Sequence, residues 1–332
     1  MSAGRRSLGG MTTDLMVEAE GLVKRFGETR ALQGVDLAIP RGTVHGVLGP
    51  NGAGKTTAVR ILSTLLRPDG GSARIAGHDV VRDAERVRAA IGLTGQYASV
   101  DEDLTGRQNL VLFGVLLDLR RRAARERAAE LLEWFGLSGA ADRPVKTYSG
   151  GMRRRLDLAA SLVGRPDVIF LDEPTTGLDP AKREDMWDVV RTLVRDGSTV
   201  LLTTQYLEEA EALADAITVI DHGRVIAHDT PERLKRIVGG QTLTVRPADP
   251  ADLPQTAAIL SAVSSGASAE ETRKGVLAVP VRDATALDAA VGKLAAAGVQ
   301  VVELSLHLPS LDEVFLTLTG RPTRALTEEV PA

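Results

Sequence analysis

The sequence of 332 residues predicts an α/β protein built on a parallel sheet with helices on both faces, followed by a second and smaller α/β domain. Two observations indicate this fold. Short apolar runs recur between helical patterns and lack the in/out alternation of a half-exposed strand, as is typical of parallel strands covered on both faces. The chain is also longer than most single domains. The clearest strand segments are 44–48, 168–171, 199–203 and 216–220.

The predicted domain organisation has a tail at each end of the chain. Residues 1–14 are polar and glycine-rich and form the first tail, and residues 321–332 form the last. The main α/β domain is expected over residues 15–238. Within it, residues 97–164 carry an amphipathic helical pattern, which predicts a helical subdomain inserted into the α/β core.

A small C-terminal α/β domain is expected over residues 239–320. Its apolar segments alternate between strand-like runs and helical patterns. The predicted strands are 243–245, 276–281 and 299–304, and the predicted helices are 257–263 and 286–297.

A last helix is predicted over residues 310–319, where Ser310 and Glu313 form a capping box. Its apolar residues follow the i, i+3, i+4, i+7 spacing of a helix that buries one face. That face could pack on the small domain alone, or it could also contact the main domain or a partner subunit. The apolar residues are Leu311, Val314, Phe315 and Leu318.

Composition excludes several classes of function. The net charge of −4 gives no general attraction to DNA or RNA, so no nucleic-acid partner is expected. The chain has no cysteine, which excludes disulfides and thiol nucleophiles. Its strongest apolar run, 110–117, is much shorter than the ~20 residues of a membrane helix. The polar start lacks the apolar core of a signal peptide.

The strongest motif is a phosphate-binding loop of the form G-x-x-x-x-G-K-[ST] between a strand and a helix expected at 56–66. Its glycines let consecutive N–H groups point inward at phosphate oxygens. Lys55 is expected to reach the β- and γ-phosphates, and the Thr56 hydroxyl to ligate Mg²⁺. The predicted nucleotide-binding residues of the loop are Gly49, Pro50, Asn51, Gly52, Ala53, Gly54, Lys55, Thr56 and Thr57.

Two carboxylates end the apolar run that precedes Pro174. Asp172 is expected beside the phosphate loop, where it can hold Mg²⁺ through water. Glu173 is the predicted general base for the attacking water. Buried strands often end in acidic residues, and such a pair alone is weak evidence for a catalytic role. Here the pair is informative because a phosphate-binding loop precedes it.

A third motif, Ser149-Gly150-Gly151, precedes a predicted helix. Free N–H groups at a helix start form an anion site. A chain that binds one γ-phosphate needs no second anion site, but two chains packed head to tail could each offer this site to the other's nucleotide. The simpler interpretation is an ordinary helix N-cap.

Together these motifs resemble the ATP-binding subunits of ABC transporters over about residues 16–238. The resemblance implies a P-loop NTPase fold of the ABC cassette type, with ATP and Mg²⁺ as ligands. It also assigns Gln96 to the Q-loop, which binds Mg²⁺ and contacts the membrane subunit, and Phe26 to the aromatic that stacks on adenine. A buried core role for Phe26 is the alternative. Residues Gly177-Leu178-Asp179-Pro180 match the D-loop, which communicates across the dimer.

The sequence departs from the family where a switch histidine is usual. Gln205 stands there, and none of the five histidines replaces it by position. An amide can donate a hydrogen bond to the γ-phosphate but cannot become cationic. Gln205 is therefore assigned to the catalytic set with Glu173 and Lys55, and the rate of hydrolysis is left open.

The residues around Gln205 and the C-terminal Leu311 to Gly320 are similar to the daunorubicin-resistance group of ABC ATPases. This resemblance implies a homodimer that closes on two ATP molecules, at the cytoplasmic face of the membrane, and that powers export of a drug-like molecule through a separate permease. Export of a lipid or polysaccharide is the first alternative. A soluble ABC ATPase without a transport role and a sensor that binds ATP without turnover are the others.

Overall fold

The computed structural model of the protein describes residues 14–95, 100–237, 241–264, 267–281, 285–307, 310–311, 314–315 and 318. Its strands are β1 (Leu15–Phe26), β2 (Thr29–Pro40), β3 (Val44–Leu48), β4 (Gly70–Ile75), β5 (His78–Asp79), β6 (Ile91–Thr94), β7 (Val168–Asp172), β8 (Thr199–Thr204), β9 (Ala216–Asp221), β10 (Arg224–Asp229), β11 (Gln241–Pro247), β12 (Glu270–Arg273), β13 (Val276–Val281) and β14 (Val301–His307). Its helices are α1 (Lys55–Leu62), α2 (Ala84–Ala90), α3 (Gly106–Leu116), α4 (Arg121–Trp134), α5 (Gly150–Ser161), α6 (Pro180–Arg195), α7 (Leu207–Leu213), α8 (Pro231–Ile237), α9 (Leu253–Val263) and α10 (Thr285–Ala296).

The described chain forms two compact units that divide between His228 and Asp229. This division lies ten residues before the boundary expected at 238/239. The paired glycines at 239–240 indicate the later boundary, whereas a new helix, α8, already begins at Pro231.

A six-stranded sheet in the order β10-β9-β3-β8-β7-β6 forms the centre of the first unit. Strand β3 pairs in parallel with β8 and β9, and β7 pairs in parallel with β6 and β8. The predicted covered parallel sheet is thus confirmed. Because parallel strands end at one edge, this order brings the segments after β3, β7 and β8 together.

Both faces of this sheet are covered, which explains the unbroken apolar runs. Ile169 and Leu171 of β7 pack with the core that includes helices α4, α5 and α6. Val168 and Phe170 of the same strand face the opposite core, shared with α1 and strands β1, β2 and β4. Successive residues of a strand point to opposite faces, so burial on both sides selects apolar residues at every position.

A second, antiparallel sheet in the order β2-β1-β4-β5 belongs to the same unit. This sheet is not among the elements that the sequence predicts. Strand β2 alternates between buried and exposed residues, the pattern of a sheet with one solvated face. This sheet carries Phe26 at the end of β1.

Helix α1 is shorter than the predicted span of 56–66. It ends at Leu62, with Ser63 as the C-cap residue, and Thr64 has a left-handed φ of 65°. A residue in that conformation cannot continue an α-helix, whatever its apolar neighbours favour. Helices α3, α4 and α5 lie between β6 and β7, within the expected helical insertion.

The second unit contains an antiparallel sheet in the order β12-β13-β11-β14. Its core joins Leu243 and Val279 of the sheet to Leu260 of α9 and Leu294 of α10. The stripe of the last predicted helix is partly described, and Leu311, Val314 and Phe315 are buried. Leu318 is half-buried and Ser310 is exposed, whereas residues 312–313, 316–317 and 319, which include Glu313 of the capping box, lie outside the described residues.

Within the described part of the chain, every helix falls short of the length and apolar character that crossing a bilayer requires.

Strand β3 carries a buried histidine four residues before the phosphate loop. His45 is 1% exposed, and its Nε2 lies 2.8 Å from the hydroxyl of Thr218, which in turn lies 2.9 Å from Nδ1 of His228. Burial, with a smaller contribution from the charge of His228, lowers the pKa of His45 to about 3. The side chain is therefore neutral in the folded protein at physiological pH.

This lowered pKa predicts an acid-sensitive fold. In the unfolded chain His45 takes up a proton below about pH 6.5, so the folded state loses stability as the pH falls from there towards 3. The slope is about 1.4 kcal/mol per pH unit. Urea midpoints measured from pH 7.5 to 5 should fall less steeply for His45→Gln than for the parent. The matched control is His307→Gln, because His307 is exposed on β14. Equal slopes for His45→Gln and the parent would refute this account.

Candidate functional site

The phosphate loop joins the end of β3 to the start of α1. Its first and last motif glycines are required by close backbone contacts. A Cβ on Gly49 would lie 2.2 Å from the carbonyl oxygen of Ile220, and a Cβ on Gly54 would lie 2.5 Å from that of Ala31. Gly54 also has a φ of 111°. The loop is thus a narrow backbone cradle that side chains would fill.

Lys55 is buried at the base of this cradle, with 4% of its side chain exposed. Its Nζ donates to the carbonyl oxygen of Gly49 at 2.8 Å and to that of Pro50 at 3.3 Å, and it lies 3.6 Å from Oε1 of Glu173. Burial lowers the pKa of Lys55, and the charge of Glu173 is the main opposing influence. An ammonium group held in this way is suited to bind a phosphate oxygen.

The cradle opens into a cavity of ≈ 550 Å³, within the size range of small-molecule sites. Two residues of its lining outside the loop, Arg30 and His222, are not predicted by the sequence. Arg30, close to Phe26 in the chain, is only a weak sequence indication of a residue at the nucleotide site, and no sequence pattern marks His222 as such a residue. The cavity is lined by Glu28, Thr29, Arg30, Ala31, Gln33, the loop residues 50–57, Glu173 and His222.

Backbone hydrogen bonds fix the turn that carries His222. The N–H of Gly223 donates to the carbonyl oxygen of Ala53 at 2.9 Å, and the N–H of Gln33 donates to that of Gly223 at 2.8 Å. The Gln33 side chain donates to the carbonyl oxygen of His222 at 2.7 Å. The turn between β9 and β10 is therefore attached to both the phosphate loop and β2.

Asp172 ends β7 beside the first turn of α1. The hydroxyl of Thr56 donates to its Oδ1 at 3.3 Å, and the buried hydroxyl of Thr203 donates to the same oxygen. A hydroxyl and a carboxylate are oxygen ligands of the kind that Mg²⁺ prefers. Thr56 and Asp172 therefore fit a magnesium ion held jointly with phosphate oxygens. Among the described residues, no group of three or more His, Cys, Asp or Glu side chains forms a metal site of its own.

Glu173 has a strained backbone, with a φ of 51°. Its N–H donates to the carbonyl oxygen of Thr203 at 3.0 Å and to the hydroxyl of Thr203 at 3.1 Å. Non-glycine residues adopt this conformation where the surrounding structure imposes it, often at functional sites. The result is a carboxylate that lines the cavity next to Lys55.

Thr203 is the functional residue that sequence reasoning missed at this edge. Its hydroxyl contacts both members of the acidic pair, and the residue is fully buried in β8. The sequence signal was weak, because Thr203 is one of three threonines in the six residues of β8.

Gln205 follows β8, the strand between β3 and β7. It is half-buried, and the lining of the cavity does not include it. Strand order therefore puts Gln205 at the same sheet edge as the phosphate loop and the acidic pair, without giving it a contact in the cavity. His222 enters the cavity from a different position, the turn after β9.

Ser149 is the N-cap of α5, and its hydroxyl accepts from the N–H of Met152 at 3.3 Å. Within one chain this is the simple N-cap geometry, and the described cavity lining contains none of Ser149, Gly150 and Gly151. Among the described residues, none has an atom within 4 Å of a Cβ placed on Gly150. Packing within the described part of the chain thus gives no reason for that glycine.

Phe26 is 50% exposed, so the alternative of a buried core role for its ring is wrong. The ammonium group of Lys24 lies 5.7 Å from the ring centroid. The ring does not line the described cavity, although Glu28 and Thr29, shortly after it, do. Gln96 lies outside the described residues, and its assignment stays a prediction.

Comparison with known proteins agrees with this geometry. Residues 32–176 match the family model of the ABC transporter, and residues 230–319 match the model of the ATP-binding protein DrrA1-3-like, C-terminal domain. The chain is 60% identical over 309 residues to the daunorubicin resistance ATP-binding protein DrrA2 of Streptomyces coeruleorubidus, covering 92% of this chain and 96% of that protein.

Two further similarities concern a second relative and a solved structure. The daunorubicin/doxorubicin resistance ATP-binding protein DrrA of Streptomyces peucetius is 53% identical, with 92% of this chain and 93% of that protein covered. The dimeric post-hydrolysis structure of the ATP-binding cassette MJ0796 with ADP and Pi matches with a TM-score of 0.59 and 27% identity, covering 65% of this chain and 98% of that one.

Proposed function

Because this chain belongs to the family of ATP-binding subunits of ABC transporters and is an ABC-type ATPase, we propose that it powers drug efflux through a separate membrane permease. The observation that carries this proposal is the 60% identity, over nearly the whole of both chains, to a protein named for daunorubicin resistance. The transported molecule is then a drug-like compound of the daunorubicin or doxorubicin type. The proposed location is the cytoplasmic face of the membrane, where this chain would bind both ATP and the permease.

The proposed active form is a homodimer with two ATP molecules at the interface. Ser149, Gly150 and Gly151 of each chain would contact the γ-phosphate bound by the other. Two features support this: these residues are not in the described lining of the cavity, and no described residue lies within 4 Å of a Cβ placed on Gly150. A free helix start also favours an anion. ATP binding would close the dimer, and hydrolysis would reopen it.

In the proposed reaction, Glu173 accepts a proton from a water whose oxygen attacks the γ-phosphorus, while the bond to the bridging oxygen of ADP breaks. Lys55 and the loop N–H groups stabilise the phosphate charge. Thr56, Asp172 and Gln96 would hold Mg²⁺, which supplies further charge neutralisation when bound. Thr203 orients the acidic pair through its hydroxyl. Phe26 would stack on adenine.

Gln205 is proposed to donate a neutral hydrogen bond to the γ-phosphate. A hydrogen bond of this kind contributes about 0.5–1.5 kcal/mol, so Gln205→Ala should lower kcat by about two- to twelvefold. Gln205→His should preserve or raise the rate, since imidazole can also donate. Steady-state ATPase assays test both variants, and Gln108→Ala in the helical insertion is the control. An unchanged rate in Gln205→Ala would remove this side chain from the site.

The efflux function is tested by co-expressing the chain with a membrane protein of about six apolar spans encoded beside it. Inverted membrane vesicles should accumulate daunorubicin only when ATP and both proteins are present, and the Glu173→Gln chain should not support accumulation. ATP-dependent accumulation of a labelled lipid or polysaccharide with no drug transport would favour the alternative exporters. ATPase activity that no membrane partner stimulates would favour a soluble role.

A further inference from the structure

Arg154 connects three backbone segments near the site. Its Nη1 donates to the carbonyl oxygen of Gly95 at 2.8 Å, its Nε to that of Pro174 at 3.0 Å, and its Nη2 to that of Glu173 at 3.3 Å. Only 17% of the side chain is exposed. A single guanidinium group therefore holds the chain after β6 and the chain after β7 to helix α5.

The chemistry of this contact is specific to arginine. The guanidinium group has five N–H donors in a rigid plane, so one side chain can reach several acceptors at fixed angles. Burial lowers the pKa of Arg154, while the carboxylate of Asp157, 3.9 Å away, and those of Asp172 and Glu209 oppose this effect. Burying a cation costs free energy of folding unless the cation makes its hydrogen bonds, here those to backbone carbonyls.

The position of Arg154 in the chain relates its hydrogen bonds to the proposed catalytic site. Arg154 lies five residues after Ser149 on α5, the helix whose start is proposed to bind the partner's nucleotide. The carbonyl oxygens that it holds belong to Glu173, the proposed base, to the next residue Pro174, and to Gly95, which precedes Gln96 in the sequence. A helix moves as a rigid body, so a shift of its N-terminus would move these carbonyls through Arg154.

We propose that Arg154 is a positioning residue that couples the helix of the Ser149-Gly150-Gly151 motif to the backbone of Glu173 and to that of Gly95. Contact of α5 with nucleotide on the partner chain then sets the orientation of the Glu173 carboxylate. This inference rests on the proposed roles of Glu173 and the Ser149 motif. It adds a residue that is not among those lining the cavity and yet controls the rate.

The test compares Arg154→Gln and Arg154→Lys with the parent in steady-state ATPase assays of the full chain. Misplacement of a reacting group can cost about a hundredfold, so Arg154→Gln should lower kcat by about that factor while KM for ATP stays within about twofold. Arg154→Lys keeps the charge but lacks the planar fork, so its kcat should lie between those of Arg154→Gln and the parent. Arg154→Gln combined with Glu173→Gln should still bind ATP with the affinity of Glu173→Gln alone.

Arg127→Gln is the matched control, because Arg127 is also an interior arginine that donates to a carbonyl oxygen. It is 13% exposed and reaches Leu162 at 2.8 Å within the helical insertion. Thermal unfolding of both variants separates lost stability from lost positioning. Parental kcat in Arg154→Lys and Arg154→Gln, or an equal loss of kcat in Arg127→Gln, would overturn the proposal. If Arg154→Gln does not fold, the Arg154→Lys result decides.

The same assays separate this inference from the assignment of the base. If Glu173→Gln is inactive and the Arg154 variants are fully active, only the role proposed for Arg154 is wrong. If Glu173→Gln is fully active, the assignment of Glu173 as the base is wrong.

Discussion

Replacing Glu173 with glutamine should abolish ATP turnover while ATP binding persists. The amide keeps the shape of the side chain and cannot accept the proton of the attacking water. General-base catalysis contributes about 10²–10⁴-fold, so kcat should fall by that factor. Because the ATP-bound state then persists, the variant should accumulate as a dimer in Mg-ATP. Steady-state ATPase assays and size-exclusion chromatography with light scattering measure the two effects.

The control for Glu173→Gln is Glu184→Gln, since Glu184 is exposed on α6 and away from the cavity. It should keep the parental rate and should dimerise only transiently. Parental turnover by Glu173→Gln would exclude Glu173 as the base. Loss of turnover together with loss of ATP binding would point to a structural role, because Glu173 is the anionic partner of Lys55 at 3.6 Å.

Replacing Lys55 with alanine should weaken nucleotide binding itself. Lys55 is the buried cation of the cradle, and hydrogen bonds to charged groups contribute about 1.5–3 kcal/mol. The Kd for Mg-ATP should therefore rise by about ten- to 160-fold. Fluorescence titration with a labelled ATP analogue measures the change. Turnover at low ATP should fall in proportion, since the substrate is no longer held against the acidic pair.

Lys146→Ala is the appropriate comparison for Lys55→Ala. Lys146 is 60% exposed and pairs with Asp103 in the helical insertion, so its loss should leave the Kd unchanged. An unchanged Kd in Lys55→Ala would show that the loop N–H groups bind the phosphates without the lysine. The role assigned to Lys55 would then be wrong.

The sequence alone determined the parts of this protein that depend on local pattern. The phosphate loop is a short contiguous motif, so the residues that form it can all be recognised within one local window of the sequence. The acidic pair was predicted because the sequence shows both an apolar run typical of a buried strand and the two carboxylates at the end of that run. Strands covered on both faces produce continuous apolar runs, which is why β3, β7, β8 and β9 were predicted close to their observed spans.

Tertiary structure alone decided which distant residues complete the site. Thr203 acts on Asp172 and Glu173 because β8 lies beside β7, and strand order is not encoded in any local window. His222 lines the cavity because the turn after β9 bonds to Ala53 of the loop.

The same reason applies to the contacts of Arg154 and to the end of helix α1. Arg154 resembles its neighbours Arg153 and Arg155 in sequence, and it differs only because its guanidinium group faces three backbone carbonyls. Helix α1 ends at Leu62 although apolar residues continue beyond it, because Thr64 takes a left-handed conformation. Local pattern fixes which residues can bind phosphate, whereas burial and hydrogen bonding between distant segments fix how those residues are held.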